Sequence, residues 1–159
     1  MKETERIINL FDDLFDGNPW IDVTLIGTLE HVTPEQASQR VLPNRNTIWE
    51  IVNHIISWRL NVLQRVQGKV IRTPDNNYIA AIEDASPAAW ASTIQRLKES
   101  QSQWVDFLKS FREEDFEKVY PKNSMTYYEH IHGIIQHDAY HLGQIMLLRA
   151  MQGIPTIAV

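Results

Sequence analysis

Gln136-His137-Asp138-Ala139-Tyr140-His141-Leu142-Gly143-Gln144-Ile145 is the stretch from which the rest of the chain is read. It has the pattern of a helix. His137 and His141 are four apart, so they share one helical face, about 40° around and ~6 Å along the axis. Two imidazoles at that spacing can close on one metal ion. One helix supplies only two such ligands conveniently, so a third has to come from elsewhere in the fold. His54, in the middle of a second predicted helix, is the best candidate.

The surrounding sequence carries helical periodicity throughout. Ile131, Ile134, Ile135, Leu142, Ile145 and Leu148 form an apolar stripe flanked by His137 and His141. Thr126 and Glu129 form a capping box at the start of this last helix, and Gly153 with Pro155 marks its end. Thr47 and Glu50 form another box, opening a helix that runs through His54 and stops at Gly68. Ile48, Ile51, Val52, Ile55, Ile56, Leu63 and Val66 line its apolar side, with His54 at the edge. Ser86-Pro87 opens a third long helix with Trp90, Ile94, Leu97, Trp104, Leu108 and Phe111 on one face.

At the N-terminal side, Ile7, Ile8, Leu10, Phe11, Leu14 and Phe15 give an amphipathic helix over about 2–16, ended by Asp16-Gly17-Asn18-Pro19. Val23, Leu25, Ile26, Leu29 and Val32 resume the period, so the segment reads as one broken arm, with Trp20 expected to plug the bend. Thr33-Pro34 starts a short helix. Residues 69–86, with the turn signal Pro74-Asp75-Asn76-Asn77, far exceed the ~2–8 residues that join neighbouring helices of a bundle. They suggest a crossover between the second and third long helices. Residues 112–124 are polar and contain Pro121, another connection with room for one helical turn. With no convincing strand run and no repeat, the expected fold is all-α, a four-helix bundle in a single domain spanning 1–159.

Composition narrows the functional classes. There is no cysteine, which excludes disulfides, thiolate ligands and a cysteine nucleophile and leaves metal chemistry to histidine and carboxylates. Net charge is −5 with both signs interspersed, so no basic footprint for nucleic acid or for a membrane surface is present. No apolar run approaches the ~20 residues of a membrane span, and the charged start Met1-Lys2-Glu3-Thr4-Glu5-Arg6 lacks a secretion core. A cytoplasmic protein acting on a small-molecule substrate, without nucleic-acid or membrane partners, is expected. There is no phosphate-binding Gly-rich loop, GxSxG, HExxH or CxxC. The paired Glu–His motifs of di-iron bundles are missing too.

Three imidazoles on two helices would leave a divalent ion with open positions. Zinc so held acidifies a bound water, and nickel, cobalt or iron(II) also accept imidazole. Against this stands the reading of two surface histidines and one packed His54. His130 also lies on the pair's face, but ~10 Å down the axis from His137. That is too far to share the ion, which makes it a residue supporting a ligand, a pocket-lining residue or a surface one. His31 and His132 receive no role. Glu50 and Asp138 are candidates for orienting an imidazole, with plain surface carboxylates the alternative for each. Tyr127, Tyr128 and Tyr140 could touch a substrate, although core packing explains each. Gly133, Gln136, Ala139 and Gly143 make part of the last helix small, permitting a homodimer contact or packing within its own bundle.

Taken together, Ile48-Trp49-Glu50-Ile51-Val52-Asn53-His54, the His137–Ile145 stretch, the Gly17–Trp20 break and Leu147-Leu148-Arg149 resemble the DinB-like (DNA-damage-inducible) family over essentially the whole chain. The resemblance implies an up-down-down-up four-helix bundle and a divalent metal, zinc or nickel, held by His54, His137 and His141. It implies a metal-dependent S-transferase using bacillithiol or another low-molecular-weight thiol, an activity like that of the mycothiol-dependent isomerase, or a metal-dependent hydrolase. It also implies a homodimer. Catalytic residues and the binding site of a thiol are not assigned by it. The competing expectation is a non-catalytic metal- or ligand-binding bundle acting in a stress response.

Overall fold

The computed structural model describes residues 1–155. The single-domain span expected above therefore has its last four positions, 156–159, outside the described residues. Those described are all-helical, with one isolated antiparallel bridge between Val119 and Thr126 and no strand.

Four long helices dominate: α1 (Glu3–Asp16), α4 (Ile48–Val66), α5 (Pro87–Ser110) and α6 (Tyr127–Met151). Two short ones, α2 (Leu25–Leu29) and α3 (Pro34–Ser38), and a 3₁₀ turn (Glu113–Glu117) complete the set. Local chemistry sets their starts. The hydroxyls of Thr47, Ser86 and Thr126 accept from the backbone N–H three residues on, at 3.1, 3.2 and 3.1 Å. Glu50 and Glu129 return the favour to the backbone of Thr47 and Thr126, completing both capping boxes. At the far end of α4, Gly68 takes φ +88°, a left-handed turn that an L side chain resists. Behind α1, the Gly17 amide closes on the Asp12 carbonyl at 2.9 Å, and a Cβ there would lie 2.9 Å from Asp13 Cα.

α4 packs on α5 and α6, and α1 also packs on α5 and α6. The interior is two apolar clusters. One holds Leu14, Phe15, Ile51, Ile55, Trp90, Leu97, Leu142 and Ile145. The other holds Ile7, Phe11, Val62, Val66, Trp104, Leu108, Ile131 and Ile134. A polar layer to which all four long helices contribute lies between them in each helix's sequence. Arg59 donates to Asp138 at 2.6 Å, with both side chains 1% exposed, and also to Gln101. Gln101 donates to Asp12 at 2.7 Å. Phe11 and Phe15 face the Arg59 guanidinium.

Two expectations about the first arm need correction. Trp20 does not plug the bend; it is 96% exposed. The Asp22 amide bonds the Pro19 carbonyl at 3.0 Å and Asp22 takes φ +58°, a tight turn that swings Trp20 outward. Leu25 and Ile26 are buried in the core with Leu14 and Phe15 instead. The resumed periodicity gives only the five residues of α2, because the backbone turns extended at Glu30 (φ −59°, ψ 138°) and His31 follows with φ +61°.

Residues 69–86 contain no regular element but are tied down across α4. The Tyr120 hydroxyl accepts from the Ile71 amide and donates to its carbonyl, both at 3.0 Å. Asn61 donates to the Tyr78 hydroxyl and Trp58 to the Asn77 side chain. Among the described residues no helix is long and apolar enough to cross a membrane.

Candidate metal centre

His54 projects from the middle of α4, and His137 and His141 from adjoining turns of α6. The packing of α4 on α6 brings the three rings together. Each offers a nitrogen lying within 4.8 Å of the other two. The His54 and His137 Nε2 atoms are 3.1 Å apart. The His137 and His141 ring centres are 4.4 Å apart, and those of His54 and His141 4.7 Å. An ion with ~2.0–2.1 Å bonds holds neighbouring nitrogens roughly 3–3.5 Å apart. The His54–His137 pair already has that spacing.

The outer nitrogens explain why the inner ones are free. His54 Nδ1 lies 2.7 Å from the Asn77 carbonyl oxygen. A carbonyl only accepts, so Nδ1 carries the hydrogen and Nε2 keeps its lone pair. His141 Nδ1 lies 2.7 Å from Gln144 Oε1, whose amide nitrogen donates to the Tyr140 hydroxyl, with the same consequence. His137 Nδ1 has a longer approach, 3.5 Å, to Asp138 Oδ1. Two lone-pair nitrogens of neutral rings at 3.1 Å repel unless a cation or proton lies between them. A donor set so arranged is chemically suited to a divalent ion.

Burial acts in the same direction. It pushes the His54 imidazolium pKa down, and the His141 one down to about 4, with the neighbouring His137 adding to both effects. At neutral pH these rings are uncharged, the state that ligates metal.

The residues around the triad differ in part from the sequence reading. Asp138 is a buried partner of Arg59 rather than a surface carboxylate. Glu50 is buried but bonds the Thr47 backbone and Arg40, and orients no imidazole. Tyr140 is not core: it is 65% exposed and stands against His141. Tyr127 is buried, while Tyr128 is partly exposed and packs on His132. His130 is buried against Tyr120, which leaves the pocket-lining role among the three considered. Built Cβ atoms on Gly133 and Gly143 would meet nothing within 4 Å, so neither glycine is there for packing inside its own fold.

Sequence reasoning missed Asn77, Gln144 and Arg59. Gln144 follows His141 by three on one helix, a spacing that could have revealed it. Asn77 acts through its backbone carbonyl, which no residue type announces. Trp58, one turn after His54, stands edge-on to that ring and packs in turn on Tyr78. From His137 a cleft of about 230 Å³ runs between α4 and α6, past Trp58, Val62 and Ile134 to Arg65 and His130.

No curated protein and no solved structure matches this chain significantly. The family model of the DinB superfamily matches residues 23–145, a span that includes all three histidines and more than half of the sequence. By that match, and in keeping with its helical fold and its histidine cluster, the chain belongs to the DinB superfamily.

Proposed function

We propose that the protein binds one divalent ion, zinc or nickel, through His54, His137 and His141, and acts as a metal-dependent enzyme on a small molecule, an S-transferase or a hydrolase. The observation that carries this reading is the convergence of three imidazoles whose outer nitrogens face hydrogen-bond acceptors. When bound, the ion would supply a Lewis-acidic centre able to acidify a low-molecular-weight thiol or a water. The chain's own contribution is positioning. Asn77 and Gln144 hold two rings in the ligating tautomer, Trp58 packs beside His54 and His137, and the cleft beyond His137 receives the body of a substrate.

An up-down-down-up four-helix bundle in one domain is part of the same reading. Its support is the order of core residues along each helix. α1 and α6 run from the Ile7/Ile131 cluster to the Leu14/Leu142 cluster, whereas α4 and α5 run the opposite way. Residues 69–86 then make the crossover between two parallel helices. Homodimerisation is supported by Tyr140, Leu147 and Met151, exposed large residues on α6. We place the protein in the cytoplasm, and its acidic charge supports a reading without nucleic-acid or membrane partners.

One observation favours a non-catalytic, metal- or ligand-binding stress-response role instead. The carboxylates nearest the triad and its cleft are engaged, Asp138 by Arg59 and Glu129 by Thr126. Asp138 is thereby held as the counter-charge of Arg59, and Glu129 as the cap of its own helix, rather than as a general acid or base.

The deciding experiment is elemental mass spectrometry on untagged protein beside His54→Ala, His137→Ala and His141→Ala. About one equivalent of metal, lost in each variant with the fold intact by circular dichroism, is the expected result. A wild-type protein that takes up neither zinc nor nickel ends the proposal. Metal uptake without chelator-sensitive turnover of thiol-conjugation or ester substrates selects the non-catalytic reading.

A further inference from the structure

We infer that Arg65 is the anion-binding residue of the cleft between α4 and α6, and that the cleft takes a small carboxylate with an apolar body. Its role as substrate rests on the reading of the triad as the reaction centre; its binding does not.

The placement begins in the sequence. Positions 54, 58, 62 and 65 recur at helical spacing, so His54, Trp58, Val62 and Arg65 share one side of α4. Arg65 is about 16 Å along the axis from His54. On α6, His130, Ile134 and His137 share the facing side. Gly133 adds no bulk between them, and the groove stays open from His137 to Arg65.

The charge of Arg65 is what the fold leaves unanswered. The residue is 8% exposed, yet it takes part in no ion pair among the described residues. Its Nη2 donates to the Thr73 hydroxyl at 3.1 Å, and its buried Nε has no partner. The guanidinium lies 5.3 Å from the Trp58 ring centre and 5.0 Å from that of Tyr120, which orients it but supplies no anion. Comparison within the molecule sharpens the point. Arg59, more deeply buried, has Asp138 and Gln101. Arg149 donates to the carbonyls of Thr28 and Pro155. Glu129 lines the cleft, but its Oε2 is turned to the Thr126 backbone and hydroxyl at 2.7 and 3.0 Å, and it forms no ion pair with Arg65. A buried guanidinium left without a counter-charge is costly, and a bound anion removes that cost.

The walls define the rest of the ligand. Trp58, Val62, Met125 and Ile134 are apolar. The volume, about 230 Å³, is below the ~300–1,000 Å³ of pockets for drug-sized molecules. One guanidinium at one end suits a single carboxylate. A ligand so anchored extends its apolar part toward His137.

The test uses chelator-treated, metal-free full-length protein at neutral pH, with benzoate and its uncharged isostere benzamide as probes. Binding is followed by proton–nitrogen correlation spectra at the Trp58 indole N–H. Benzoate is expected to bind roughly 10-fold or more tightly than benzamide, as one charge-assisted hydrogen-bonding group implies. Arg65→Gln should reduce benzoate binding to the benzamide level and leave benzamide unchanged. A merely structural Arg65 would not distinguish the two probes. Equal binding of both by the wild type overturns the proposal even if Arg65→Gln fails to fold. So does the absence of any shift with benzoate at about 20 mM, where a ~1 mM site would be filled. Because no metal is present, benzoate selectivity in a protein that takes up no metal keeps this inference and ends the metal-centre reading, while metal uptake without selectivity does the reverse.

Discussion

Asp138→Ala is predicted to be among the most destabilising single substitutions in the molecule. It removes one partner of an ion pair whose side chains are both 1% exposed and 2.6 Å apart, and strands the Arg59 charge between two apolar clusters. Gln101 remains as a neutral acceptor, but Arg59 Nε already lacks a partner. Breaking such a pair costs about 3–5 kcal/mol, which for a chain of this size lowers Tm by roughly 6–20 °C. The double variant Arg59→Met/Asp138→Leu deletes both charges and should recover most of the loss, since a buried pair is often replaceable by apolar side chains at little net cost. Thermal and urea denaturation of the two singles and the double make the required cycle. A loss below about 1 kcal/mol for Asp138→Ala, the range of exposed pairs, would refute the reasoning. So would a double variant equal to the sum of the singles. Asp138→Asn separates a second role. At 3.5 Å its contact with His137 is long, so zinc affinity should fall by less than the ~10–100-fold that follows loss of a well-made ligand support.

Zinc added at ~100 times its Kd should raise stability by about 2.7 kcal/mol, and His141→Ala should abolish the rise in a calorimetric scan. Chelator-treated protein should lose stability as pH falls. His54 and His141 are held neutral by burial, so the unfolded chain binds more protons from its ordinary value of 6.5 down to about 4, where His141 protonates in the folded state. Stability therefore rises with pH through that window, and His141→Asn should flatten the slope measured by urea titration at several pH values. Trp20→Ser should leave Tm unchanged, within ~0.5 kcal/mol, because the ring is 96% exposed. A larger loss would restore Trp20 to the bend.

The sequence by itself determined the four long helices and where they begin. Caps and periodicity are short-range chemistry, and Thr47/Glu50, Ser86-Pro87 and Thr126/Glu129 each act within one turn. It also singled out His54, His137 and His141, because two of them share a helical face and the third borders the apolar side of another helix. What surrounds them was decided only by the tertiary structure. Asn77 reaches His54 through a backbone carbonyl carried by a long connection. The four-helix polar layer joins Asp12, Arg59, Gln101 and Asp138 across sequence separations that no local rule spans. The fate of Trp20 turned on a tight turn at Pro19–Asp22 that leaves the ring outside a core occupied by Leu25 and Ile26. Arg65 stands in the last turn of α4, and nothing in the sequence marks it as buried. Only the packing of Trp58 and Tyr120 against it, with no carboxylate within ion-pair distance among the described residues, makes it a buried charge without a counter-ion.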